Sequence, residues 1–486
     1  MLFQDDLNDP TRIAALQTGA SKALLINPPI YDTQYWAHWS QPHGLLKVAA
    51  WLKQIGYTHL WLIDCLATDE KRQVRYRVNR ERTVLRGDMI KTAYTFGMSL
   101  DELRSQIRRL CAEQFVPEEV WITSIMTYWW ESTRDVVQVA LEELPHAQIR
   151  IGGVYPSLAP WHAEERIASL DPERITIVQG EIYAASDLPT DLSLYDAQHS
   201  YHGAIPGFAL ITGSRGCPFN CAYCAQLQLN ANIRSVRRRP AAHIADEIEE
   251  KYRRYGVREF AFYEDNLLVV KDEFMALMEE IISRGLHIRL FAPEGMEPRL
   301  IDHELMRLMS GAGFQKIHLA LETMDEEISR SWNRRHARFW QFERAVDICR
   351  AYFANGKQEG VNAFVLFGMP DENLQAVVNT ALYAAQFAGS VIPMLFTPVP
   401  GSQMFEQFRE YLLGERRWDL QHLNGKRLPF LEYNQRLYPD LKATDYLKLE
   451  AFMAHLNQGK VRSQSFAFGA DGPVARAFRR TLSAVE

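Results

Sequence analysis

The stretch SRGCPFNCAYCAQ, Ser214 to Gln226, gathers Cys217, Cys221 and Cys224, half of the chain's six cysteines, within eight residues. A chain this long with six cysteines has no disulfide framework, and clustered thiols in a reducing compartment bind metal or do redox chemistry. Structural zinc asks for four ligands, usually two C-x2-C knuckles or a Cys/His pair. The remaining cysteines, Cys65, Cys111 and Cys349, are isolated and supply no second knuckle. Iron–sulfur clusters are also held by thiolates, and a four-iron cube on three local cysteines keeps one iron open. An open position can bind a substrate or cosubstrate directly, as it does in catalytic zinc sites. A zinc loop and an open iron–sulfur site are the two chemistries this spacing poses.

Two basic stretches accompany the triad. RSVRRRP (234–240) places Arg234, Arg237, Arg238 and Arg239 just after it. They read either as partners of a carboxylate or phosphate or as surface arginines opening a helix. KRQVRYRVNRER (71–82) reads either as a contact for a phosphate or acidic partner or as a solvated hairpin or helix face.

The elements that must position these residues follow from apolar periodicity. In the first part, strands ALLIN (23–27), HLWLID (59–64), EVWITS (119–124), QIRIGG (148–153) and ITIVQG (175–180) alternate with helical patterns. One such helix is PHGLLKVAAWLKQIG, with Leu45, Val48, Leu52 and Ile55 on one face and Gly56 as its stop. This alternation predicts an open, doubly wound parallel sheet covered on both faces, with ligands at the carboxyl ends of its strands. Residues 68–118 read as an insertion, in which Ser99 and Glu102 form a capping box. Residues 185–207 are turn-rich and read as a linker. Six further strands follow: 208–213, 259–265, 287–292, 316–322, 361–368 and 391–398, with helical patterns between them. Six β/α units predict an incomplete parallel barrel, and the cysteine motif lies just after its first strand, where such barrels carry their chemistry. The expected division is 1–190 for the first domain, 191–405 for a partial (β/α)6 barrel and 406–486 for a small, mostly helical C-terminal region.

Composition bounds the function. Of 486 residues, 47% are apolar and 23% charged, with a net charge of −6, so nothing pulls the whole chain toward nucleic acid or anionic membrane. No apolar run approaches the roughly 18 residues of a spanning helix, and the acidic N-terminus lacks the basic start of a secretory signal, so a cytoplasmic location is expected.

The segment RGCPFNCAYC, with aromatic Tyr223 before the third cysteine, resembles the motif of the radical SAM superfamily. The resemblance reaches to about residue 405 and is more specific for the barrel than for the first domain. It implies a 4Fe–4S cluster on Cys217, Cys221 and Cys224 whose fourth iron chelates S-adenosylmethionine. An electron from the cluster then cleaves that cosubstrate to methionine and a 5′-deoxyadenosyl radical, which takes hydrogen from a substrate. It further implies that Tyr223 packs by the cluster and that Glu264, Asp265 and Asn266, ending strand two in FYEDN, stand near the methionine moiety. Glu322, ending strand four, would meet the ribose, and Gly368 and Pro370 in LFGMP would approach the adenine. TPVPGS (397–402) closes strand six in the family's style.

A doubly wound domain before such a barrel resembles the cobalamin-binding domains of one large subfamily. The matching segments are 42–57, IGGVYPSLAP (151–160) and VQGE (178–181). Gly152 and Gly153 would let a flat ring approach the backbone, and Ser124 and Thr127 would hydrogen-bond its amides. TYWW (127–130) reads either as a flat wall over the ring or as core packing. The chain departs from the Asp-x-His-x-x-Gly motif of histidine-ligated cobalamin: after Asp64 come Cys65 and Leu66.

The expected function is a radical SAM enzyme for cobalamin-dependent methylation of an unactivated carbon in a small-molecule substrate, with an electron donor such as flavodoxin or ferredoxin. The alternative is a cobalamin-independent radical rearrangement, cyclisation or oxidation on the same fold. Methylthiotransferase chemistry would need a second cysteine triad, which Cys65 and Cys111 cannot form. A zinc-stabilised nucleic-acid-binding protein built on residues 71–86 is the non-enzymatic alternative, disfavoured by the acidic net charge and the missing fourth ligand.

Overall fold

A computed structural model describes residues 21–196, 206–335, 337–353, 360–458 and 472–483. The first domain is built on a five-stranded parallel sheet. Its strands are β1 (Lys22–Asn27), β2 (His59–Asp64), β3 (Glu119–Thr123), β4 (Gln148–Gly152) and β5 (Ile175–Ile177). Their order across the sheet is β5-β4-β3-β1-β2, a doubly wound arrangement whose switch point lies between β1 and β3. Period-2 alternation explains the two covered faces. Ala23 and Leu25 of β1 join an apolar cluster with α1 (His43–Gln54), while Leu24 and Ile26 join the opposite one with α2 (Leu100–Ala112) and α3 (Trp130–Glu143).

The stretch expected as an insertion divides in two. Its helix α2 begins at the predicted capping box, where Ser99 Oγ accepts from Glu102 N at 3.1 Å and Ser99 N donates to the Glu102 carboxylate at 3.0 Å. Leu103, Ile107 and Leu110 of α2 pack against Ile63, Val120 and Ile122, so α2 is the crossover helix between β2 and β3. The preceding short antiparallel strands, Tyr76–Val78, Val84–Arg86, Met89–Lys91 and Tyr94–Phe96, are additional to the doubly wound plan, as is Ile30–Asp32, which pairs with Tyr94–Phe96.

The linker expected at 185–207 is packed in its first half: Leu192, Leu194 and Tyr195 are buried, and the Tyr195 hydroxyl donates to Asp64 at 2.8 Å. Turn-rich composition hid apolar side chains at positions that the sheet covers. Residues 197–205 of that stretch lie outside the described residues.

The barrel follows as β6 (Phe208–Ile211), α4 (Ala241–Tyr255), β7 (Glu259–Phe262), α5 (Lys271–Ser283), β8 (Arg289–Phe291), α6 (His303–Ala312), β9 (Ile317–Glu322), α7 (Phe339–Phe353), β10 (Val361–Phe367), α8 (Leu374–Phe387) and β11 (Ser390–Leu395). Two parallel three-stranded sheets, β6-β7-β8 and β9-β10-β11, are joined by single bridges Leu290–Phe314 and Met296–Leu319. The result is the expected six-stranded open barrel.

Its outer strands carry the exposed backbone groups that a closed barrel would pair. On β6, Leu210 N donates to Gln41 Oε1 of the first domain at 3.0 Å. On β11, the Asn457 side chain accepts from Val391 N at 2.6 Å and donates to Val391 O at 2.8 Å. Asn457 ends α10 (Ala443–Asn457), which follows α9 (Gln403–Arg409) and precedes α11 (Pro473–Ser483) in the helical C-terminal region. That region also reaches the first domain: Asp32 accepts from Asn424 at 3.1 Å, and Trp130 donates to Gln421 at 2.9 Å. Among the described residues no helix is long and apolar enough to cross a membrane.

The basic run 71–82 is partly solvated, with Lys71, Arg75, Arg77 and Arg80 exposed, and partly paired. Arg72 pairs with Glu259 and lies 5.1 Å from the Trp39 ring and 4.8 Å from Phe208. Arg82 pairs with Glu131, and Arg75 meets Glu102 at 3.2 Å. Arg72 and Arg82 join this part of the first domain to the barrel and to α3, and Arg75 meets α2 at the surface.

Candidate active site

The cysteine loop leaves β6 through residues 214–215, which pair antiparallel with 237–238, and ends at a short helix, Gln226–Leu229. All three thiols are free. The loop is fixed from four sides. Ala222 N donates to Trp332 O at 2.8 Å, and Ala222 O accepts from Met404 N of α9 at 2.8 Å. Asn333 donates to Asn220 O at 2.6 Å, and Asn266 Nδ2 lies 3.9 Å from Cys217 Sγ. Gly216 has φ +101°, and a Cβ there would stand 2.5 Å from Ser235 O, so only glycine allows this turn beside Cys217. Burial pushes the Cys217 and Cys221 thiols up.

Glu264 and Asp265 sit at the end of β7 as expected, and their partners define their work. Glu264 accepts from Gly213 N, from Ser214 N at 2.7 Å and from Ser214 Oγ at 2.5 Å. Asp265 accepts from Gly216 N at 2.5 Å and from Arg215 at 2.9 Å. Both carboxylates face the backbone that leads into Cys217 and shape it.

Tyr223 packs edge-on against Trp332, with ring centroids 6.0 Å apart, and its hydroxyl accepts from Arg334 at 3.2 Å. Arg334, which the sequence did not single out, is a buried guanidinium that also donates to Ala320 O at 2.6 Å. The cation opposes the effect of burial on Glu322, whose carboxyl is nevertheless held above its usual range. Within NRRH nothing local separates buried Arg334 from exposed Arg335; its burial is set by β9.

Glu322 ends β9 at a register shift against β10 and has φ +64°, a left-handed conformation that costs a non-glycine residue about 1 kcal/mol or more. It opens onto a cavity of about 260 Å³, lined also by Thr323, Trp332, Leu366, Met369 and Glu372. Gly368, with φ +81°, turns the chain from β10 into this wall. Gly368 N and Met369 N donate to Glu372 at 2.6 and 3.3 Å, and the Asn434 side chain donates to Met369 O at 2.8 Å. The C-terminal region therefore holds one wall of the cavity.

Burial raises the Glu372 carboxyl from 4.5 to about 7. A carboxyl raised on folding lowers stability progressively as pH climbs from its ordinary value to its folded value. Glu372→Gln is therefore expected to equal wild type in melting temperature near pH 4.5 and to exceed it above pH 7, by a margin corresponding to up to about 3 kcal/mol. Parallel melting profiles across pH 4.5–8 would refute this.

The TPVPGS segment lies at the junction of the domains. A Cβ on Gly401, which has φ +85°, would stand 2.8 Å from Gln228 beside the cysteine loop and 3.4 Å from Leu158 of the first domain. The first domain's candidates divide. Gly153 is exposed, with φ +111°, and a Cβ there would meet Ser124 O at 2.4 Å; its glycine is demanded by that backbone crossing. Gly152 has room, its nearest neighbour being Val178 at 3.8 Å. Ser124 is buried and accepts from Thr133 at 2.8 Å, and Thr127 is also buried, so both lie beneath the rim. On the rim itself, Ile125 and Met126 each expose 39% of their surface. Trp129 donates to Asp32 at 3.0 Å, and Trp130 is buried against the C-terminal region; this part of TYWW is core packing. The switch-point crevice between Tyr31, Asp32, Tyr128 and Asn424 retains only about 10 Å³.

A four-iron cube takes each thiolate on a separate iron, and the three free thiols of this loop supply that donor set. Ile125 and Met126 make a small apolar surface on the rim next to exposed Gly153.

Residues 211–384 match the model of the radical SAM superfamily. An anaerobic magnesium-protoporphyrin IX monomethyl ester cyclase of Rubrivivax gelatinosus is 22% identical over 437 residues, covering 79% of this chain and 70% of that protein. A cytidylyl-2-hydroxyethylphosphonate methyltransferase of Streptomyces wedmorensis is 24% identical over 203 residues, 40% of this chain and 36% of the relative. In fold, the chain resembles the radical S-adenosylmethionine methyltransferase TsrM of Kitasatospora setae, solved with cobalamin and a [4Fe–4S] cluster. The TM-score is 0.59 at 16% identity, over 81% of this chain and 79% of TsrM.

Proposed function

We propose that this chain, whose residues 211–384 match the radical SAM superfamily model, is a radical enzyme that methylates an unactivated carbon of a small molecule with the help of cobalamin. The observation carrying this reading is the placement of Cys217, Cys221 and Cys224 at the carboxyl mouth of the open barrel, with the Glu322 cavity on one side and the first domain's apolar rim beyond Leu158. When bound, a 4Fe–4S cluster supplies the electron that splits S-adenosylmethionine, and cobalamin supplies the methyl group.

The chain's own residues bind and orient. Cys217, Cys221 and Cys224 would hold the cluster as thiolates, with the cosubstrate bound beside them. Glu322, at the cavity edge, accepts hydrogen bonds from ribose hydroxyls. The Gly368–Pro370 turn bounds the space for the base, and Glu372 and Asn434 keep that turn in place. Glu264 and Asp265 fix the approach to Cys217. Ile125, Met126 and Gly153 offer the corrin an apolar seat. An electron donor of the flavodoxin or ferredoxin kind completes the system.

A second reading, radical cyclisation or oxidation, is favoured by one observation: the cyclase from Rubrivivax gelatinosus aligns along 79% of this chain. The test is anaerobic purification and cluster reconstitution, then incubation with S-adenosylmethionine and a reductant. We expect 5′-deoxyadenosine and a bound corrinoid spectrum. A full cluster with no 5′-deoxyadenosine overturns the radical assignment, and absence of corrinoid uptake removes methylation and leaves the second reading.

A further inference from the structure

We infer that Glu181, on the first domain, is a positioning residue for the cysteine loop of the barrel, acting on Cys217 through Arg215 and Asp265. The inference rests on the proposed role of Cys217 as a cluster ligand. Glu181 follows β5 and sits opposite two arginines of the barrel. One carboxylate oxygen pairs with Arg237, and the other lies 3.6 Å from Arg215 Nε. Arg215 passes the contact on to Asp265 at 2.9 Å, and the second oxygen of Asp265 accepts from Gly216 N at 2.5 Å. Gly216 is the residue before Cys217. Arg237 and Arg215 face each other across the antiparallel pair 214–215/237–238, so Glu181 neutralises both sides of the ladder that launches the loop. Arg237 is also stacked over Tyr183, 4.2 Å from its ring, which fixes it on the first domain.

The path continues into the first domain's open rim. Gly180 N donates to Ser157 Oγ at 2.9 Å, and Ser157 Oγ donates to Gly153 O at 2.6 Å. Contacts of hydrogen-bond or ion-pair type therefore run from exposed Gly153, where a corrin would lie, to the residue preceding Cys217. Removing one partner of a shielded ion pair costs more than breaking an exposed one, because it leaves an uncompensated charge, and Asp265 here is mostly shielded. Without Glu181, Arg215 and Arg237 repel across the ladder, and Asp265 alone must orient Arg215.

The test uses full-length Glu181→Gln as apoprotein, labelled with a thiol reagent under anaerobic conditions and read site by site by peptide mass spectrometry. Cys217 is expected to label severalfold faster than in wild type, while Cys349, buried in the core, labels at an unchanged rate. Equal Cys217 rates overturn the inference, and so does parallel acceleration at both cysteines, which marks general destabilisation. Arg237→Gln opens the same contact from the other side and serves if the first variant does not fold. The double variant should be no faster than either single one, because both changes break one contact. After reconstitution, iron content should fall in Glu181→Gln and not in Glu165→Gln, a change at an exposed site. Labelling of apoprotein is independent of radical chemistry, so it can fail or succeed separately from the assigned reaction.

Discussion

Cys221→Ala is expected to yield a folded protein that carries little iron after reconstitution and forms no 5′-deoxyadenosine. The side chain is only partly buried and pairs with nothing in the core, so its removal leaves the fold intact. The loop around it keeps its backbone bonds to Trp332 and Met404, since those use Ala222. With two thiolates left, a cube has two irons without protein ligands and no reason to stay. Iron analysis, the near-ultraviolet and visible spectrum of the reconstituted protein and product chromatography measure the outcome. Retained cosubstrate cleavage would sink the cluster assignment. Cys65→Ala is the comparison, being a buried thiol remote from the loop.

Arg334→Met should be the most damaging change outside the triad. The guanidinium is the joint between β9 and the cysteine loop, donating to Ala320 O on one and to the Tyr223 hydroxyl on the other. Methionine replaces the volume but leaves both acceptors without a donor and Glu322 without its neighbouring cation. Orphaned buried polar groups cost about 1–3 kcal/mol each, so a loss of roughly 2–4 kcal/mol is expected in denaturant titration. Tyr223 lies between Cys221 and Cys224, so iron retention should fall as well. Arg334→Lys should recover little, because one ammonium cannot reproduce the fork that reaches two acceptors at once. Wild-type stability with full iron in Arg334→Met would show that the joint carries nothing.

The candidate site was legible where chemistry is local. Three cysteines at fixed spacing with Tyr223 among them stand within eight residues, so their clustering is readable whatever surrounds them. The six barrel strands were also legible, because buried parallel strands read as short apolar runs bounded by turn residues. Glu264, Asp265, Glu322 and Gly368 were placed correctly at strand ends, but strand ends do not reveal partners. Glu264 and Asp265 proved to bind the backbone beside Cys217, and Gly153 proved to serve a backbone crossing to Ser124. Helix α2 was taken for part of an insertion because the strands before it hid that it covers the same sheet as α3.

The sequence by itself determined the clustering of the three thiols, the β/α alternation of both domains and the acidic net charge of the chain, since each depends on residue type and near-neighbour spacing. The tertiary structure alone decided that Arg334 lies buried beneath Tyr223, that Glu181 reaches across a domain boundary to Arg215 and Arg237, and that Asn434 holds the Met369 turn. These pairs are separated by between 34 and 111 residues. Their meeting is set by which faces of which elements bury together, and no local pattern of charge or hydropathy encodes that choice.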